Sequence, residues 1–282
     1  MPLPNRPSVT PHAGTPVAPA ELLAGLLPLA EVVTREVTVI LDESCGQLVD
    51  AVSAFAPVQV FRRRDGFRSD PLYAADELHA MLADRSLCGV AVYVAPSFAA
   101  FTALLLAHRH AGSLAGILLL DPSHPRQGEA ALAVLAEAPP SEAVTKLRDF
   151  LSGFGPVWDR SCREVMDIHT LGDLPISVLA GGRFDLLPEL PSDIKIRLVQ
   201  DRQAMLAEYA RLSTDGEFDP ITASGHAMAR DVPEAVLMAL RRLVQRVAVT
   251  RPTGREAGCL GAGGAEGEAK SSDLPQGGSV RL

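Results

Sequence analysis

From about residue 36 the chain alternates short, almost continuous apolar runs with segments whose apolar positions recur every three or four residues. EVTVILDE (36–43), VQVFRRR (58–64), GVAVYVA (89–95), LAGILLLDP (114–122), LPISVLAGGRFD (174–185) and FDPITAS (218–224) read as strands. GQLVDAVSAFA, DPLYAADELHAMLADR (70–85), FAAFTALLLAHRH, RQAMLAEYARLST and PEAVLMALRRLVQRV read as helices, the second with Asp70 as N-cap and Pro71 at the first helical position. Apolar strands separated by helices predict an α/β fold with a mostly parallel sheet covered on both faces. After Pro122 the alternation stops for about fifty residues and then resumes. A helical cap insertion over about 123–174 is therefore expected, above the C-terminal edge of the sheet where open α/β sheets place their ligands.

The ends carry a different pattern. Residues 1–20 are rich in proline and short polar residues, and 250–282 repeat Gly, Ala, Glu and Ser without a period, so both are expected to be disordered around a folded unit over 21–249. Within 90–110, VAVYVAPSFAAFTALLLAHRH changes at Pro96-Ser97 from a strand-like to an Ala/Leu-rich helical composition. This makes Ser97 a candidate nucleophile on a strand-to-helix turn, and it argues against a membrane span in that uncharged stretch.

Composition narrows the partners. The 282 residues are 47% hydrophobic and 21% charged, a globular balance, and the formal net charge is −8. That charge speaks weakly against a nucleic-acid or anionic-membrane partner. Cysteines 45, 88, 162 and 259 share no CxxC spacing, so neither a zinc site nor a disulfide framework is suggested. The N-terminal stretch has no convincing secretory pattern, and a reducing cytoplasm fits best. No metal and no cofactor are expected.

Five segments in order give the chain its resemblance to the α/β-hydrolase superfamily: Ser97 between strand and helix, RRDGFRSDP, GILLLDPSHP, VLAGGRFD and SGHAMARDVPEAV. The resemblance covers nearly all of 36–249. It implies the family's chain order of Ser, then Asp or Glu, then His. Ser97 would then be the nucleophile, His226 the general base and Asp185, in the Gly-x-x-Asp turn, the acid that orients it, with Asp121 as the reserve acid. The backbone N–H groups of Phe98 and Ser44 would form the oxyanion hole.

Two departures bear on function. Ala95-Pro96-Ser97-Phe98-Ala99 stands where the family has Gly-x-Ser-x-Gly, so the turn is made at a steric cost that glycine avoids. Where relatives carry His-Gly, this chain has Asp42-Glu43-Ser44-Cys45-Gly46. A carboxylate about 5 Å from a developing oxyanion would raise its energy by roughly 3 kcal/mol at an effective dielectric near 20. Asp42 and Glu43 could lie in a solvated loop, or one could act as an acid/base or ligand-binding group, since a buried pair would keep one carboxyl protonated. Phe150, Phe154 and Trp158, four residues apart, pack the cap or line a pocket for an apolar or aromatic ligand.

Two readings remain from the sequence. One is a serine-dependent hydrolase or acyl transferase acting on a small, largely apolar ester, lactone or related carbonyl compound. The other is a diverged, non-hydrolytic member that binds a small molecule or catalyses a proton-transfer or cyclisation step.

Overall fold

The computed structural model describes residues 37–64, 70–153 and 155–250. The expectations for 1–20, for the tail beyond 250 and for Phe154 fall outside them. Strands β1 (Thr38–Asp42), β2 (Val58–Phe61), β3 (Ala91–Pro96), β4 (Leu114–Leu120), β5 (Ile176–Gly181) and β6 (Gly216–Ile221) form one sheet. Its order is β2-β1-β3-β4-β5-β6, and every neighbouring pair is parallel. A 3-10 turn (Glu43–Leu48) and α1 (Val49–Ser53) follow β1, α2 (Pro71–Asp84) precedes β3, and α3 (Ala99–Arg109) follows it. Between β4 and β5 lie α4 (Gln127–Ala136), α5 (Glu142–Ser152) and α6 (Pro156–Met166). Helix α7 (Ser192–Ala210) joins β5 to β6, and α8 (Met228–Asp231) and α9 (Pro233–Thr250) complete the described chain.

The period of two along each strand divides the core. Ile40, Tyr93, Ala95, Ile117 and Leu119 point to one face, where Leu78 and Leu82 of α2, most of α3 and Leu206 of α7 cover them. Val39, Leu41, Val92, Val94, Leu118 and Leu120 point to the other, under Leu48, Val52 and the apolar face of α9. Both faces of the central strands are thus out of water, which is why their sequence reads as continuous apolar runs.

Helix α2 has the expected start, with Asp70 accepting from the Leu72 N–H and Pro71 in the first turn. Several boundaries differ from the sequence pattern, β5 spanning only Ile176–Gly181 of 174–185 and β6 starting two residues early at Gly216. Strand β2 stops at Phe61 because Arg63 turns inward to Asp42 rather than continuing the ladder. The helix expected over 46–56 is a 3-10 turn and then only α1, with Asp42 capping the turn. Helix α7 begins at Ser192 rather than Arg202, since Ile194 and Leu198 pack on Val134, Leu135, Val144 and Leu147 of the insertion, not on the sheet. Cys45 and Cys162 are free thiols.

Leu118, fully buried between β4 and α9, offers a test of the two-sided core. Leu118→Ala should lower unfolding free energy by about 2–5 kcal/mol, read from the midpoint of chemical denaturation at unchanged m-value.

Candidate active site

Adjacent strands β3 and β4 are in register with Pro96 opposite Leu120. The next residue of each, Ser97 and Asp121, leaves the sheet in the left-handed region, at φ 50° and 42°. That region is strained for a residue with a Cβ and persists only where the surroundings hold it. Here the Ser97 N–H donates to Leu120 O at 3.0 Å, the Ser123 N–H to Ser97 O at 3.0 Å, and the Asp121 N–H to Leu179 O at 2.7 Å. The chain reverses sharply enough for α3 to start at Ala99. Ala95 and Ala99, both buried, are small enough for that close passage.

The reversal presents Ser97 to His226. Ser97 Oγ lies 3.0 Å from His226 Nε2, and His226 Nδ1 lies 2.7 Å from Asp121 Oδ2. With Nδ1–H donating to the carboxylate, Nε2 carries a lone pair that faces the Ser97 hydroxyl. His226 sits in the loop after β6, whose bend is tied to the loop after β5 by Ser224 O, which accepts from Gly182 N–H and Arg183 N–H.

The carboxylate that faces His226 is therefore Asp121 and not Asp185, contrary to the sequence expectation. Asp121 is wholly buried and stands one residue beyond its strand, level with Ser97. Asp185 lies four residues past the end of β5, half exposed, and pairs with Arg183 at 3.4 Å. Asp121 holds further partners that the sequence did not signal: its Oδ1 accepts from Gly181 N–H at 2.8 Å, and its Oδ2 from Arg202 Nη1 at 2.8 Å.

The acidic pair after β1 is also corrected. Asp42 is fully buried and faces inward, not into the cavity. Its carboxylate accepts from Ser44 Oγ at 2.6 Å and Ser44 N–H at 3.2 Å, and from Tyr93 Oη at 3.2 Å, and it pairs with Arg63 Nε at 3.4 Å. Arg63 thus offsets its charge. Glu43 begins the 3-10 turn and does not line the cavity. The Ser44 N–H, expected at the oxyanion hole, is directed to Asp42. Burial and the Asp42 charge push the Cys45 thiol up to about 12 and keep the Tyr93 hydroxyl protonated well above its ordinary range.

Ser97, His226 and Asp121 open onto a cavity of about 790 Å³ between the sheet edge and the inserted helices. Phe98, Leu147, Phe150, Val157, Trp158 and Met205 give it apolar walls. Phe150 and Trp158 belong to separate helices, not one stripe. The Trp158 ring stacks on Phe98 at 5.4 Å and tilts over Phe101 at 5.4 Å. Arg183, Asp185, Asp201, Arg230 and Asp231 stand at polar positions of the same cavity. Among the described residues, no group of three or more His, Cys, Asp or Glu could hold a metal, and no helix is long and apolar enough to cross a membrane.

No family model matches the sequence, and no curated protein does. Solved structures do. An α/β hydrolase enzyme from the metagenome of sediments of the Mar Chica lagoon, Morocco, is similar with a TM-score of 0.50 and 12% identity, over 74% of this chain and 91% of that one. A thermophilic esterase from Thermogutta terrifontis is similar at 0.48 and 19%, over 75% and 90%. So is a haloalkane dehalogenase from Bradyrhizobium elkani, at 0.49 and 12%, over 77% and 92%. The chain has the α/β-hydrolase fold, a six-stranded parallel sheet with helices around it.

The inward role of Asp42 has a direct check. Asp42→Ala strands the buried Arg63 guanidinium and should cost about 3–5 kcal/mol of stability, whereas the double change Asp42→Ala/Arg63→Met should recover most of it. Chemical denaturation of both variants reads the difference.

Proposed function

We propose that the protein is a serine-dependent hydrolase or acyl transferase acting on a small, largely apolar ester, lactone or related carbonyl compound. The observation that carries this reading is the unbroken chain from Ser97 Oγ through both nitrogens of His226 to the buried Asp121, at the floor of an apolar cavity. A serine hydroxyl is a weak nucleophile near neutral pH unless a base removes its proton as it attacks. His226 Nε2 takes that proton while Oγ bonds to the carbonyl carbon, and Asp121 balances the imidazolium that forms. His226 then gives the proton to the leaving oxygen, releasing the alcohol, and the acyl group on Ser97 passes to water or to another acceptor activated by the same imidazole. The cavity is within the usual size of small-molecule sites, and its walls suit an apolar acyl or aryl group.

The oxyanion hole is the weaker half of the site. The Phe98 N–H follows Ser97 in the position of one donor, but Ser44 does not supply the second. Removing one such donor typically costs 10²–10³-fold in kcat. Substrates with good leaving groups, which need less help at the carbonyl oxygen, are therefore the best matched. The same feature supports a second reading, in which the pocket binds a carbonyl compound or moves a proton without hydrolysing it.

The test is turnover of p-nitrophenyl butyrate. Ser97→Ala should abolish it to background, and Asp121→Asn should lower kcat by roughly 10³–10⁴-fold because the imidazole loses its tautomer. Asp185→Asn, at a half-exposed ion pair, should change kcat by no more than about threefold. Turnover that survives Ser97→Ala, or binding of the ester without any turnover in the parent, would overturn the hydrolase reading and leave the second.

A further inference from the structure

Arg202 is 81 residues from Asp121 in the chain, yet its Nη1 lies 2.8 Å from Asp121 Oδ2. His226 Nδ1 approaches the same oxygen, at 2.7 Å. The second arm of the Arg202 fork donates to Gly181 O at 3.0 Å, beside the Gly181 N–H that holds Asp121 Oδ1 at 2.8 Å. We propose that Arg202 is a positioning residue for the site: it fixes the Asp121 carboxylate against β5 and, by sharing its charge, limits how firmly His226 holds a proton. This rests on the Ser97, His226 and Asp121 assignment above.

The physical reason is that one carboxylate faces two potential cations. Asp121 has no solvent exposure, so water does not dilute its charge. A guanidinium is always protonated and sits beside the imidazole, and a like charge disfavours the protonated form. Asp121 therefore orients His226 without binding its proton as tightly as an unshared carboxylate would. The other charged groups around the cavity have partners of their own. Arg183 faces Asp185 at 3.4 Å and Asp231 at 3.8 Å, and Arg230 pairs with Asp231 at 2.9 Å. Asp201, on α7 one residue before Arg202, is exposed. Among the described residues Arg202 is the cation recorded against Asp121 besides the histidine.

The experiment follows the His226 ring resonances by NMR across pH in the full chain, assigned by their loss in His226→Asn, and the pH profile of kcat/KM on p-nitrophenyl butyrate. Arg202→Gln keeps an N–H donor without the charge, Arg202→Met keeps the aliphatic stem, and Arg202→Lys keeps the charge. Both neutral variants should move the titration midpoint, and the acid limb of the profile, up by about one pH unit. Arg202→Lys should stay near the parent midpoint while losing part of kcat, as the fork to Gly181 is gone. Folded neutral variants with an unmoved midpoint overturn the proposal, as does loss of folding in both, which would assign Arg202 to stability alone. The titration needs no substrate, so it stands even where esters are not turned over; that outcome would sink the hydrolase reading only.

Discussion

The buried carboxylate of Asp121 ties the site together. A charge with no access to water is costly unless its lone pairs are used, and here they are: by a backbone amide of β5, a guanidinium of α7 and the imidazole of the loop after β6. The aspartate backbone is held in turn, its N–H donating to Leu179 O. Three separate pieces of chain thus converge on one side chain, and that convergence fixes the histidine facing the serine. The left-handed backbone at Ser97 and Asp121 is part of the same arrangement, since it turns both side chains out of the sheet edge at one level.

Asp42 provides the contrast. It too ends a central strand fully buried, but its partners are Arg63, Tyr93 and the turn that it caps. None of these reaches the cavity. One residue type at the same edge of the same sheet therefore holds a histidine in one case and anchors a turn in the other, according to what lies within hydrogen-bond reach. The raised thiol of Cys45, pushed up by burial and by Asp42, makes that cysteine a poor nucleophile and marks the pocket around Asp42 as interior rather than reactive.

Much of this was legible in the sequence, for identifiable reasons. Two-sided burial writes strands as apolar runs, and the abrupt change at Pro96-Ser97 betrays the turn because strand and helix demand different residues on either side. His226 follows from its place after the last strand. The partner of His226 was misread because spacing favours the Gly-x-x-Asp turn ending at Asp185, whereas strand register decides which carboxylate stands level with the serine, and register is set by the pairing of Pro96 with Leu120. Asp42 was misread because its partners lie 21 and 51 residues away. Arg202 left no trace at all: an arginine on a helix reads as solvent-exposed until the fold brings it to Asp121. The early start of α7 was hidden for a related reason, since its first turns bury apolar residues against the insertion instead of the sheet.

Trp158 is the only tryptophan in the chain. It stands in the cavity wall, stacked on the phenylalanine that follows Ser97. An indole in such a place is an intrinsic optical label: its emission depends on the polarity and packing around the ring, and there is no second indole to mask the signal. Anything that enters the cavity and displaces water from that wall alters the light the protein itself emits, so occupancy can be followed without attaching a dye or waiting for a bond to break.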